Sequence, residues 1–135
     1  IMIILHPQQD NKLAITVPCV SLELAISKLP ANTPYKVVDT LDIVSEFSDA
    51  YEFDQEKGAV VNMKKAKEIK LDQFRHARKP LLEKLDIEFM RAVETSDTDK
   101  MKAIAATKQE LRDITSVKLP TTINKLAEFW PDSLR

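Results

Sequence analysis

Side chains able to do chemistry are few in this 135-residue chain, and none stands at a spacing that a reaction would need. His6 and His76 are the two histidines, and neither has a second histidine or a cysteine at metal-ligand spacing. Cys19 is the one cysteine, which excludes an internal disulfide and a cysteine-rich zinc site. It reads as a small buried apolar residue suited to a reducing cytoplasm. With Gly58 as the one glycine, no phosphate-cradling loop can form. No serine lies in a nucleophile-elbow context. Glu68, Asp72, Glu83 and Glu88 fall where a helix carries surface charge, and no carboxylate pair has surroundings that would separate two pKa values for acid–base work. Ser96-Asp97-Thr98-Asp99 lacks the length and the glycine of a calcium loop. The expectation is a chain with no catalytic residues, no metal and no cofactor.

Recognition is the better prospect. Phe47, Tyr51 and Phe53 lie close together, Phe74 sits in a helical segment, and Phe129 and Trp130 close the chain. Aromatic side chains dominate cores and interfaces alike, so these six read either as core plugs or as anchors for a partner. A basic run, Lys64, Lys65, Lys67, Lys70, Arg75, His76, Arg78 and Lys79, suggests nucleic acid at first sight. Lys65, Lys67 and Lys70 nevertheless point in different directions around a helix, and only Phe74 is interleaved, so a solvated or partner-pairing helix is the reading. The formal net charge of −1 likewise argues against nucleic acid or an anionic membrane as partner. No apolar run approaches the ~20 residues needed to span a bilayer, and the opening is not that of a secretory leader.

The elements that must position these residues follow from periodicity. Between residues 63 and 95, Ala66, Ile69, Phe74, Ala77, Leu81, Leu85, Phe89 and Val93 recur at steps of three to five, one stripe of a helix. That helix would be roughly 50 Å long at ~1.5 Å per residue. A polar turn, Glu94 to Asp97, leads to a second helix over residues 98–115, with Met101, Ile104, Lys108, Leu111 and Thr115 on its seam. Asn62 caps the first helix, and Ser96 or Asp97 the second. Pro80 predicts a bend or break near residues 77–79. Pairing the two arms about Ser96 sets Phe89 against Met101 and Ile104, and Leu81 and Leu82 against Leu111. The same register places Arg78 opposite Asp113 and predicts an ion pair closing the hairpin. Lys108 on the seam weakens a tightly closed core.

Before the hairpin, residues 2–5 and 13–17 are β-branched runs around a polar turn and read as a β-hairpin. Residues 21–29 read as a short helix capped by Ser21, and residues 35–39 as a third, central strand between prolines. Residues 54–58 form a turn in which Gly58 takes a positive φ, followed by a strand over residues 59–62. After Pro120 a short helix covers residues 123–129, either folding back on the hairpin or offering Trp130 to a neighbour. The fold class is therefore α+β: a small mixed or antiparallel β head with a short helix over residues 1–61, then a helical hairpin and a short terminal helix over residues 62–135.

The order of several phrases resembles a known family: Pro34-Tyr35-Lys36-Val37-Val38-Asp39, then Phe47-Ser48-Asp49-Ala50-Tyr51-Glu52-Phe53-Asp54, then Val61-Asn62-Met63-Lys64-Lys65-Ala66-Lys67-Glu68-Ile69. Arg75, Arg78, Pro80, Leu82, Leu85-Asp86 and Phe89-Met90-Arg91-Ala92 follow, with Lys108 to Thr115 and Trp130-Pro131 at the close. Over nearly its whole length the chain is similar to the small tail-associated proteins of tailed bacteriophages. It also resembles the C-terminal part of tail assembly chaperones. The resemblance implies a non-enzymatic tail adaptor that joins or braces fibre or baseplate components, or alternatively a tail or tail-fibre assembly chaperone absent from the mature virion. It implies other tail proteins (fibre, baseplate or tail-tube) as partners, a homotrimer or higher symmetric assembly, and a location in the virion tail after passage through the host cytoplasm.

Overall fold

The computed structural model describes residues 2–135 and is α+β. Its internal contacts divide the chain into two units, up to Ala66 and from Lys67 onward.

The first unit holds two antiparallel sheets. Strand β1 (Ile3–Pro7) pairs with β2 (Leu13–Thr16), Leu5 opposite Ile15, and on its other side with β3 (Lys36–Val38), Ile4 opposite Val37. The order β2-β1-β3 makes β1 central and β3 an edge, which corrects the central position expected for residues 35–39. Ile4 and Leu5 explain it: both are fully buried, whereas every residue of β3 is only half-buried. Apolarity on both faces marks the interior strand better than flanking prolines do. Helix α1 (Leu22–Ser27) starts where Ser21 Oγ accepts from Leu24 N at 3.1 Å, the expected cap. The aromatic stretch divides into a 3₁₀ segment, Ser45–Ala50, and strand β4 (Tyr51–Asp54), which pairs with β5 (Gly58–Val61). Gly58 has φ +84°, a conformation that favours glycine, and a Cβ there would also lie 2.8 Å from Leu5 Cδ1, so that side chain would have to shift. Lys12, in an isolated bridge with Glu52, joins the two sheets and pairs with Asp49 at 2.7 Å.

Helix α2 (Met63–Glu94) runs 32 residues without a break, although Pro80 lies inside it. Asn62 caps it by accepting from Lys65 N at 3.3 Å, while its own amide donates to Glu52 at 2.9 Å. The break expected at residues 77–79 does not occur. Pro80 is exposed, and so is His76, whose carbonyl loses its partner, so water can take over the lost hydrogen bond. At the far end Ser96 (φ 55°) adopts the left-handed conformation. Ser96 N donates to Val93 O at 3.0 Å and Asp97 N to Ala92 O at 2.9 Å. That pair of bonds is a Schellman closure with serine where glycine is usual. Asp97 then caps α3 (Thr98–Arg112), accepting from Lys100 N at 3.1 Å. The second helix ends three residues earlier than expected and passes into a 3₁₀ turn, Asp113–Ser116. Helix α4 (Ile123–Glu128) follows, with Leu126 fully buried.

Candidate functional site

The six aromatic residues are not free anchors. Phe47, Tyr51 and Phe53 are buried in the first unit. The Tyr51 hydroxyl accepts from Val44 N at 3.1 Å, and Asn11 Nδ2 donates to Phe53 O at 3.2 Å, which ties the loops to the sheet. In the second unit Phe74 is fully buried, its ring 6.1 Å from Phe129 and 5.3 Å from Trp130. Phe129 and Trp130 are half-buried. The partner-anchor reading of Phe47, Tyr51, Phe53 and Phe74 is thereby corrected to core packing. Phe129 and Trp130 pack against their own chain, on the Phe74 ring.

Lys70 organises that cluster. It was read as one of a solvated basic run, yet its side chain is fully buried. Nζ donates to Ala127 O at 3.1 Å, in the last turn of α4, where carbonyls lack helical partners. It lies 4.6 Å from the Trp130 ring centroid and 5.9 Å from that of Phe74, within cation–π range. An aromatic cage of this kind could hold a ligand cation, but the chain's own ammonium fills it. The cage fastens the C-terminal segment and is no vacant site.

The Arg78–Asp113 ion pair does not form. Arg78 Nη1 donates instead to Leu111 O at 3.3 Å and Arg112 O at 3.1 Å, while Asp113 Oδ1 accepts from Gln109 Nε2 at 2.9 Å. The cause is the helix end: the last carbonyls of α3 lie at the negative pole of the helix dipole with acceptor capacity to spare, and a guanidinium is their natural partner. The register itself agrees with the sequence reading, since Lys108 pairs with Asp86. Lys108 also sits 5.6 Å from the Phe89 ring centroid, so its aliphatic stem covers the seam while its charge reaches the rim.

Surface features that the sequence reading did not single out are the exposed apolar side chains. In the first unit Val17, Val20 and Leu24 border a groove of about 330 Å³ between the end of β2 and α1, floored by Ala25 and Leu29. Val20 is 86% exposed and Val17 55%. Cys19 lies on this rim, exposed rather than buried as expected, because the loop after Pro18 faces outward. In the second unit Ile87 and Met90 are 57% and 59% exposed on α2, with Val93 beside them. Ile87 falls outside the stripe through Leu85 and Phe89, whereas Val93, expected in that stripe, and Met90, expected to widen it, are exposed and not core-facing. Among the described residues no cluster of His, Cys, Asp or Glu could hold a metal, and no helix is long and apolar enough to cross a membrane. Comparison with family models, curated proteins and solved structures gave no match.

Proposed function

We propose that this chain is a non-catalytic adaptor that joins protein components of a larger assembly, and that the assembly is a phage tail, where the chain joins or braces fibre or baseplate parts. One observation carries the adaptor reading: Val17, Val20, Ile87 and Met90, large apolar residues, stand more than half exposed while Phe47, Tyr51, Phe53 and Phe74 are packed inside. Exposed apolar side chains gathered on one rim or one helix face mark protein contacts more often than solvent-facing surface. The tail setting is supported by the ordered phrases from Pro34 to Pro131 and by nothing else.

Quantitative mass spectrometry of purified particles and of the lysate that produced them tests this reading. The adaptor is expected in particles at a fixed copy number, and a Val17→Asp, Val20→Asp double variant is expected to be lost from them while still folding. Recovery in the lysate alone would overturn the adaptor reading in favour of an assembly chaperone, for which the same surfaces would be transient grips.

A further inference from the structure

Successive residues of an α-helix turn by ~100°, which sorts the distal half of α2 into two faces. Leu82, Leu85, Phe89 and Ala92 lie on the half-buried or buried side. Lys79, Glu83, Ile87, Met90 and Glu94 lie on the other, all exposed, with Arg91 at its margin. Lys79, Glu83, Arg91 and Glu94 join none of the ion pairs formed among the described residues. The face therefore has a small apolar centre, Ile87 and Met90, between two sets of unspent charges.

The order of those charges selects an occupant. If a second copy of α2 is laid antiparallel with Ile87 opposite Ile87, Glu83 comes opposite Arg91, four residues to either side of the axis. Lys79 then falls beside Glu94, and two-fold symmetry repeats both pairs. A parallel arrangement would instead set Glu83 on Glu83 and Arg91 on Arg91, which is repulsive. We propose that two copies of the chain associate through this face of α2 as an antiparallel, isologous pair. The pairing does not depend on the adaptor reading; it adds a second copy as a partner. It also differs from the homotrimer that the resemblance implies, since Leu85, Phe89 and Ala92 are turned into the hairpin and only a narrow strip remains.

From Lys79 to Glu94 the strip is about 24 Å long at ~1.5 Å per residue, one face of one helix, with fewer residues than the ~20–30 a side of stable complexes. The association is accordingly concentration-dependent, in the micromolar range. Sedimentation equilibrium of the full chain is expected to show the mass rising from 15.4 kDa to twice that value with concentration. Ile87→Asp and Met90→Asp should abolish the rise while circular dichroism stays unchanged, because both positions are exposed. Glu83→Arg and Arg91→Glu should each weaken association about tenfold, since symmetry doubles every lost pair, and the double reversal should restore it. In a Cys19→Ser background, a mixture of Glu83→Cys and Arg91→Cys chains should give the mixed disulfide. A monomer up to millimolar concentration, charge variants that associate like the parent, or self-crosslinks alone would each overturn the proposal. Because this readout needs no particle, its failure is separate from any failure of the adaptor reading.

Discussion

Arg78 and Asp113 show how a residue's neighbours, more than its charge, choose its partner. Both side chains were in reach of the hairpin's open end, but Arg78 found the carbonyls of Leu111 and Arg112 and Asp113 found Gln109. Arg78→Ala should therefore cost about 1–2 kcal/mol, the range for a charged hydrogen bond partly open to solvent. Asp113→Ala should stay within about 0.5 kcal/mol, as surface substitutions do. Urea denaturation of the two single variants and the double variant checks this, with no coupling expected; a coupling comparable to the Arg78 loss would restore the ion pair. Ser96 offers a complementary case, since it holds a left-handed conformation that costs an L-residue roughly 1–2 kcal/mol. Ser96→Gly should raise stability by about 1 kcal/mol in the same assay, and a loss would mean that the serine side chain supports the turn.

At the scale of elements, Pro80 tests how a helix tolerates its own breaker. The helix continues with Pro80 and His76, the residue whose carbonyl loses its donor, both exposed. Pro80→Ala should then stabilise the chain by about 1–3 kcal/mol, read as a higher urea midpoint at unchanged slope. A decrease would show that the surroundings are built around a bend. Much of this element was legible beforehand: the Asn62 and Asp97 caps, the turn at Ser96 and the hairpin register all follow from local chemistry and a 3.6-residue period. The aromatic latch was not. Ala66, Lys70, Phe74, Arg78 and Leu82 recur at steps of four down one face, yet two of the five are cations, so a reading based on apolarity skips from Ile69 to Phe74. What buries Lys70 is the carbonyl of Ala127 and the ring of Trp130, some sixty residues away in sequence, ~60 being a separation at which local pattern carries no information. The strand order failed for a similar reason. Neighbouring prolines describe where β3 ends, whereas its place at the edge is decided by pairing with β1.

At the scale of the whole molecule, the division of labour among apolar side chains is the finding that bears on function. The first unit buries Phe47, Tyr51 and Phe53 and leaves Tyr35, Val17, Val20 and Leu24 exposed; the second buries Phe74 and leaves Ile87, Met90 and Val93 exposed. Near-neutral net charge leaves little long-range steering, so on the proposed adaptor reading recognition falls to these patches and the charges that border them. The sequence reading left Phe47, Tyr51, Phe53, Phe74, Phe129 and Trp130 as core plugs or partner anchors, because composition does not say which large side chains the fold will consume. Hydroxyl-radical footprinting of the chain alone and in its assembled form tests this most directly. Protection is expected at Val20 and Met90 on assembly, with Phe47 and Phe74 unlabelled in both states. Unchanged labelling at Val20 and Met90, or labelling that appears at Phe74 and Trp130 only after assembly, would contradict it and return the docking role to the aromatics.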